Sequence, residues 1–221
     1  FEAGLKTEPL PGVIANFTAY RTSIDDFQVS VVSNQAGTLR GYLANAEQVI
    51  VQGVEFDGSW QVNDRFNLYG NVAWTDGKYE SFTEAPPALE DSGGAVGQVD
   101  ASGTRLPGLS EWAASFGGEC ALPGDLGGRS GEFFVAADAS YRSEFSSSPT
   151  ESGYLNIDGY TLLNARIGFR GDDGWTGYLW ARNALDEEYF EMLNAGGSSS
   201  GYYAGLLGDP RTYGVTLRGR F

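Results

Sequence analysis

The sequence predicts an all-β fold, and two observations carry the prediction: the composition and the hydrophobic periodicity. The 221 residues include 32 Gly, 13 Phe, 12 Tyr and 5 Trp, a composition that favours short strands and turns. Apolar and polar residues alternate with a period of two in segment after segment, and no segment keeps a 3.6-residue apolar repeat over three turns. This alternation places apolar side chains on one face of a strand and polar side chains on the other.

The alternation predicts roughly nine strands. In five of them one face carries no charge, as in the last strand, where Tyr213, Val215 and Leu217 share a face. The nine predicted strands lie near residues 1–7, 12–32, 53–60, 65–75, 107–122, 132–142, 163–170, 175–190 and 212–221.

The links between these strands alternate in length, and this is the third observation. Short turns are predicted near residues 8–12, 62–64, 123–128 and 171–174. Long connections, rich in Gly, Ser, Asp and Pro, are predicted near residues 33–47, 83–106, 147–157 and 191–210. Short turns on one side and long loops on the other are typical of antiparallel transmembrane β-barrels. We therefore predict an antiparallel transmembrane β-barrel.

Aromatic residues mark the two ends of the predicted apolar faces. Phe66 and Trp74 are eight residues apart on one face, as are Phe133 and Tyr141. Eight residues of a strand tilted by about 40° climb roughly 20 Å, close to the height of an outer-membrane apolar band flanked by aromatic girdles. The predicted girdle residues are Trp60, Phe66, Trp74, Phe133, Tyr141, Trp175 and Tyr213. The alternative is a soluble β-sandwich binding module, which favours aromatic side chains in mid-strand.

The composition excludes several classes of chemistry. The chain has no His and one Cys, so His-based catalysis, a His zinc site and an intramolecular disulfide are excluded. A formal charge of −15 argues against binding to nucleic acid. Adjacent acidic pairs such as Glu187-Glu188 point to opposite faces of a strand and cannot act together there. We expect no enzyme, no cofactor, and neither a signal peptide nor a transmembrane helix within these residues.

The C-terminal region resembles the last two strands of TonB-dependent outer-membrane receptors. The segments are residues 180–189, WARNALDEEY, and residues 208–221, GDPRTYGVTLRGRF. The family pattern is Asn-Leu-x-Asp-x-x-Tyr, followed by Pro-Arg-x-Tyr-Gly and a terminal Phe; Ala184 replaces the usual Leu. Residues 1–7, 26–29 and 53–56 also resemble the family in order and spacing.

The resemblance implies a 22-stranded barrel closed around an N-terminal plug. Residues 1–221 would then be the C-terminal portion, about the last nine strands, with the plug and the early strands absent. The resemblance places the short turns in the periplasm, makes Phe221 a barrel-assembly signal, and locates the chain in the outer membrane of a Gram-negative bacterium.

The function implied by the resemblance is active import of a scarce small molecule. The candidates are a siderophore–iron or similar complex, a corrinoid and an oligosaccharide. Energy would come from the TonB–ExbB–ExbD complex through the absent plug, and outer-membrane lipid would surround the barrel. A self-contained small barrel of the porin or adhesion type is the alternative within the membrane class, and it predicts an even number of strands.

Three tyrosines are candidates for ligand binding. Tyr154, Tyr202 and Tyr203 lie in the last two predicted long connections, among polar residues. Aromatic side chains in such loops can clamp a ligand, and they can equally pack one loop against another.

Overall fold

The computed structural model describes residues 1–35, 38–91, 97–150, 152–195 and 202–219, with side chains described outside residues 33–39. Its elements are β1 (Glu2–Leu10), β2 (Val13–Gln35), β3 (Thr38–Asn63), β4 (Phe66–Ser81), β5 (Trp112–Leu126), β6 (Arg129–Arg142), β7 (Phe145–Ser146), β8 (Asn156–Ile157), β9 (Tyr160–Gly171), β10 (Thr176–Arg182), β11 (Phe190–Ala195), β12 (Tyr203–Leu207) and β13 (Thr212–Arg218). The predicted all-β fold is confirmed. In the described residues, no helix is long and apolar enough to cross a membrane.

Nine of the strands form one antiparallel sheet, in the order β1-β2-β3-β4-β5-β6-β9-β10-β13. The predicted number of main strands is therefore confirmed. The four remaining strands form two small hairpins, β7–β8 and β11–β12, which lie inside long connections of the sheet.

Three predicted boundaries are wrong. The connection predicted at 33–47 is mostly strand, because β2 continues to Gln35 and β3 begins at Thr38. The strand predicted at 107–122 runs instead from Trp112 to Leu126, and the following turn uses Gly127 and Gly128, both at positive φ. The strand predicted at 175–190 ends at Arg182, because Asn183 takes a left-handed backbone conformation with φ 46°.

One side of the sheet, which we call the apolar face, carries large hydrophobic side chains in register from strand to strand. One row of paired residues runs Leu5, Phe17, Phe56, Val72, Ala114 and Tyr141. These side chains are not covered by another layer: Phe116 is 55% exposed, Ile167 55% and Leu217 76%. An apolar surface of this extent is unsuited to water, and a soluble sandwich would bury it. It matches the outward band of a membrane barrel.

The opposite side of the sheet, the polar face, carries a ladder of hydrogen bonds and ion pairs. Arg170 pairs with Glu132 and with Glu119, and Arg166 also reaches Glu119, at 3.2 Å. Asn164 Nδ2 donates to Asp138 Oδ2 at 2.7 Å. The mixed charges on this face agree with the polar interior expected of an outer-membrane barrel.

The buried core lies at one end of the sheet rather than along it. The two strands β2 and β3 have 23 and 26 residues, whereas about 9–11 residues suffice to cross a membrane. Their outer halves pack against residues after β4. The core residues are Val29, Val31, Ala44, Ala46, Val49, Tyr79, Phe82, Ala85 and Ala101. This cluster supports the long connections.

The outer part of the β2–β3 hairpin changes the phase of its alternation. Val49 of β3 is buried in the cluster, and so is Ala46, three residues earlier, so the buried positions switch from odd to even numbers. At this point Asp26 of β2 takes a φ of 54°. A left-handed residue in a strand re-aims the side chains beyond it. The hairpin thus turns a second set of apolar side chains toward the same cluster.

Within the described part of the chain, each of the two edge strands of the sheet pairs on one side only. β1 pairs with β2 and β13 pairs with β10. Since all neighbours in the nine-stranded sheet are antiparallel, β1 and β13 run in the same direction. They cannot close the sheet on itself by antiparallel pairing, as the alternative of a small even-stranded barrel requires.

Candidate ligand-binding site

The long connections all leave from one end of the sheet, which we call the outer end. They span residues 82–111, 143–159 and 183–211. The short links at 11–12, 64–65, 127–128 and 172–175 lie at the opposite end. The predicted alternation of short and long links is confirmed except at the β2–β3 hairpin. Any ligand site made from the long connections must therefore lie at the outer end.

The connection after β4 folds back and extends the sheet. Tyr79 N donates to Thr104 O at 3.0 Å, and Leu106 N donates to Gly77 O at 3.0 Å. A β-bridge joins Lys78 to Arg105. A Cβ at Gly77 would overlap the end of the Leu109 side chain, which would have to shift to admit it. This segment occupies the place of a neighbouring strand above the outer end of β5.

Two of the three candidate tyrosines meet. The rings of Tyr154 and Tyr203 stack with centroids 5.2 Å apart and an interplanar angle of 22°. Tyr203 Oη donates to Glu90 Oε2 at 2.8 Å, and Gly153 N donates to Glu90 Oε1 at 2.8 Å. Tyr202 is 68% exposed and does not join the stacked pair. Glu90, Tyr154 and Tyr203, which we call the loop tether, connect all three long connections.

The hydrogen bonds of the loop tether also affect the protonation of Glu90 and Tyr203. Burial by itself would raise the pKa of Glu90, but hydrogen bonds from its own amide, Ser152, Tyr203 and Gly153 outweigh burial and lower the pKa. Burial and the Glu90 carboxylate together raise the pKa of Tyr203. Glu90 is therefore ionised and Tyr203 is neutral at physiological pH, as the hydrogen bond between them requires.

Beside the loop tether lies a cavity of about 480 Å³, which we call the uncharged cavity. Its walls come from the outer halves of β2 and β3, the connection after β7, and β11. Among the residues that the structure describes, the lining carries hydroxyl, amide and apolar side chains and no charged group. Its described residues are Ser30, Val31, Val32, Gly41, Tyr42, Leu43, Leu89, Ser147, Ser148, Pro149, Thr150, Ser152, Leu155, Leu193, Asn194 and Ala195.

The predicted girdle residues lie on the sheet as follows. Trp60 is 47% exposed, Phe133 43%, Tyr141 42%, Trp175 42% and Tyr213 81%. Phe66 and Trp74 are half-buried, and Trp74 Nε1 donates to Glu111 Oε1 at 3.1 Å. The girdle role of these residues stays a prediction. Phe221, the predicted assembly signal, lies outside the described residues.

Two site residues were missed as functional candidates. Glu90 lies in a long connection with no motif around it, and its partner Tyr203 is 113 positions away, beyond any local sequence signal. Asn183 lies in the C-terminal pattern and is 5% exposed. Its side chain donates to Glu187 O at 2.9 Å and to Asp209 O at 3.0 Å, and accepts from Glu187 N at 2.9 Å. Asn183 therefore ties the start of the last long connection to its end.

The pattern that carried the family resemblance has a structural basis around Asn183. Arg211 Nη2 contacts Asp186 Oδ2 at 3.0 Å, across the base of the same connection. The ring of Tyr189 packs on Tyr160 with centroids 4.3 Å apart, and it fills the space that a Cβ at Gly208 would need. We call this group of five residues the base clasp: Asn183, Asp186, Tyr189, Gly208 and Arg211.

The exposed apolar face, the polar opposite face and the long outer connections define a transmembrane β-barrel protein of the outer-membrane type. A family model described as TonB dependent receptor-like, beta-barrel, matches residues 1–184. The chain belongs to this family, whose members are outer-membrane receptors of Gram-negative bacteria. It is a family of transport receptors rather than enzymes.

Similarity to individual proteins supports the same family. The ferric-pyoverdine M114 receptor PbuA of Pseudomonas sp. (strain M114) is 28% identical over 178 residues, which are 80% of this chain and 19% of the relative. The ferric yersiniabactin uptake receptor FyuA of Yersinia pestis is 15% identical with a TM-score of 0.76, over 100% of this chain and 29% of that one. The siderophore receptor PiuA of Acinetobacter baumannii is 15% identical with a TM-score of 0.67, over 98% of this chain and 27% of that one.

The two structural likenesses show a shared fold. The chain spans less than a third of the length of each of these three proteins. It corresponds to part of a barrel, and the nine-stranded open sheet agrees with that.

Proposed function

We propose that this chain serves in the import of a scarce nutrient across the outer membrane, a siderophore–iron complex or a similar metal chelate. The observation that carries the proposal is the uncharged cavity at the outer end of the sheet. Its walls combine aliphatic and Tyr side chains with several hydroxyl groups, the mixture that holds an organic ligand and fixes its orientation.

The relatives support the choice of substrate class. Two of those named above are receptors for ferric siderophores, ferric pyoverdine and ferric yersiniabactin, and the third is a siderophore receptor. Corrinoids and oligosaccharides remain the alternative substrates.

We further propose that residues 1–221 are the C-terminal portion of a larger plugged barrel. The remaining strands would pair with the free edges of β1 and β13, since unpaired strand edges are costly in lipid. Energy for uptake would come from TonB, ExbB and ExbD acting on the plug, and the barrel would stand in outer-membrane lipid. Trp60, Phe66, Trp74, Phe133, Tyr141, Trp175 and Tyr213 would form its aromatic girdles, and Phe221 its assembly signal.

The tyrosines take different roles in this proposal. Tyr154 and Tyr203 hold the three long connections together beside the cavity, because their rings stack and Tyr203 bonds Glu90. Tyr202 is 68% exposed and lies outside the stacked pair, so we assign it the contact with a ligand that arrives from outside.

The test is uptake in a strain that lacks its own receptors and expresses the whole receptor carrying this chain. The probes are ⁵⁵Fe complexes of a siderophore panel, with radiolabelled cobalamin beside them. Asn194 lines the cavity, and replacing it by Trp should reduce uptake at least tenfold by filling the space. Asn45→Trp, at an exposed position outside the cavity lining, is the matched control and should leave uptake unchanged.

Uptake that persists in a tonB deletion strain would contradict active import. Equal uptake by the Asn194 and Asn45 variants would remove the cavity from the substrate path.

A further inference from the structure

The long connections at the outer end are strongly negative. Residues 82–111, 143–159 and 183–211 contain thirteen Asp and Glu residues and two Arg residues, so they carry a formal charge of −11 out of the −15 of the whole chain. A cleft focuses the field of the charges around it, which lowers the local concentration of anions and raises that of cations. A ligand that approaches the uncharged cavity therefore meets a negative potential.

The cavity itself offers no charge to compensate an anion. No charged side chain lines it among the residues that the structure describes. In the sequence, residues 36–37, 92–96, 151 and 196–201, which lie between the described ranges, are Ala, Gly, Ser, Val and a single Glu. These residues therefore add no cation.

Cations beside the cavity are already neutralised or exposed. The connection after β7 lines the cavity and also lines a neighbouring space that contains Lys78 and Arg105. Lys78 Nζ contacts Asp76 Oδ1 at 2.9 Å, and Arg105 Nη2 contacts Glu111 Oε2 at 2.6 Å. Arg40 precedes the part of β3 that lines the cavity, and it is exposed, so solvent and salt screen its charge.

The charge directly behind the cavity wall is negative. Leu89 and Ser152 line the cavity, and the residues that follow them are joined by a hydrogen bond, in which Gly153 N donates to Glu90 Oε1 at 2.8 Å. The hydrogen bonds of the loop tether lower the pKa of Glu90, so this carboxylate is ionised at neutral pH. An anion in the cavity would face the Glu90 carboxylate.

Neutral donors in the lining suit a ligand without charge. Ser147 Oγ accepts from Leu193 N at 3.1 Å, which leaves its O–H to donate to a ligand. Asn194, the next residue in the lining, can donate through its Nδ2. Such groups bind carbonyl and hydroxamate oxygens, but they do not offset the cost of burying an uncompensated negative charge.

We propose that the uncharged cavity selects metal chelates without net negative charge, such as ferric tris-hydroxamates, and excludes ferric tris-catecholates. This inference rests on the proposed function, because it names the class of chelate that the same cavity takes. A hydroxamate carries one negative charge, so three of them neutralise Fe³⁺. A catecholate carries two, so three of them leave the ferric complex triply negative.

The test uses one trihydroxamate chelator whose terminal amine is free, acetylated or succinylated. The ferric complex is then cationic, neutral or anionic with the same coordination of iron. Equilibrium dialysis with ⁵⁵Fe measures binding of each complex to the whole receptor in detergent. The receptor should bind the cationic and neutral complexes at least tenfold more tightly than the anionic one.

Equal or tighter binding of the anionic complex would overturn the inference and leave the proposed import function standing. Binding of a ferric tricatecholate, with no binding of the trihydroxamates, would overturn it in the same way. Failure of the whole siderophore panel in the uptake experiment would instead overturn the proposed function, so the two failures are distinguishable.

A charge placed in the lining locates the selection. Asn194→Lys should reduce the preference for the neutral over the anionic complex at least fivefold. Asn45→Lys adds the same charge at an exposed position outside the lining, and as the matched control it should leave the preference unchanged. Retained binding of the cationic and neutral complexes shows that each variant is folded. An equal change in both variants, or no change in the Asn194 variant, would overturn the assignment of the selection to this cavity.

Discussion

At the scale of single residues, Asn183 is a structural determinant of the outer end. It is 5% exposed, and its side chain makes three hydrogen bonds to backbone groups at the two ends of one connection. Its backbone φ of 46° also suits Asn better than most residues.

Asn183→Ala should destabilise the receptor by about 2–4 kcal/mol, because three part-buried hydrogen bonds to the backbone of Glu187 and Asp209 are lost. The measurement is the free energy of unfolding in detergent micelles, from urea titration. Asn45→Ala, which removes one exposed hydrogen bond to Asp26, is the control and should change stability by less than about 0.5 kcal/mol. Equal effects would show that the base clasp does not stabilise this end.

A substitution at Tyr79 should keep or raise the free energy of unfolding rather than lower it. Its side chain is fully buried, and its hydroxyl has no hydrogen-bond partner among the described residues. Tyr79→Phe removes that buried polar group while keeping the ring contact with Phe82, so the free energy of unfolding should stay equal or rise by about 1 kcal/mol. A loss of more than about 1 kcal/mol in the same urea titration would mean that the hydroxyl has a partner.

The loop tether should respond to acid. The pKa of Glu90 is lower in the folded protein than its ordinary value of 4.5, so the tether's contribution is complete above that value. As pH falls through the lowered pKa, Glu90 takes up a proton and the hydrogen bond from Gly153 N weakens. Amide hydrogen exchange at Gly153, corrected for intrinsic rate, should therefore speed up only below pH 4.5, as the pH passes through the lowered pKa of Glu90. Glu90→Gln should show no such step, and a step that persists in this variant would contradict the assignment.

Residue-scale features divide into those that sequence could predict and those that it could not. Asn183 and Asp186 lie three positions apart within one pattern, so a family resemblance reaches them. The Glu90–Tyr203 pair depends on two long connections folding toward each other. No local periodicity encodes such a contact.

At the scale of elements, the β2–β3 hairpin shows why one prediction was wrong. The segment 33–47 is predicted as a connection from its content of small and polar residues, Gly and Ser among them. In the structure both strands continue into this segment, beyond the phase change at Asp26, with their buried side chains at shifted positions. Strand propensity and hydrophobic period are properties of a short stretch of sequence. Val31 and Ala44, in contrast, are buried by tertiary packing against residues after β4, which the local sequence does not reveal.

The phase change at Asp26 can be tested by substitution. Asp26→Val should destabilise the receptor by about 1–2 kcal/mol, because a β-branched residue tolerates a left-handed conformation poorly. Gln28→Val, at an exposed position two residues later in the same strand, is the control. Urea titration followed by circular dichroism in micelles measures both. If the two variants unfold at the same urea concentration, the positive φ at Asp26 carries no such cost.

At the scale of the whole molecule, the sheet was predictable because contact with lipid acts on each strand separately. Every strand that faces hydrocarbon must show an apolar side chain at every second position. The sequence therefore contained the main strand count, the apolar face and the alternation of links. The uncharged cavity was not predictable, because it is assembled from segments that are far apart in the chain.

The free edges of the sheet provide a prediction for the whole molecule. In the isolated 221-residue chain, the outward-pointing amides of β1 and β13 should exchange with deuterium within seconds. In the whole receptor they should be protected at least a hundredfold, because neighbouring strands would bond to them. Hydrogen-exchange mass spectrometry on both forms measures the difference, and the paired central strands β5 and β6 serve as the internal control. Equal exchange of the edges in both forms would contradict their place inside a larger barrel.

The length of the β2–β3 hairpin has a consequence at the cell surface. From Tyr20 to Gln35 the strand climbs roughly 35 Å beyond the apolar band, if its tilt is kept. The outer part of the hairpin therefore lies outside the lipid, and exposed side chains there, such as that of Arg40, are not subject to the alternation that lipid contact imposes.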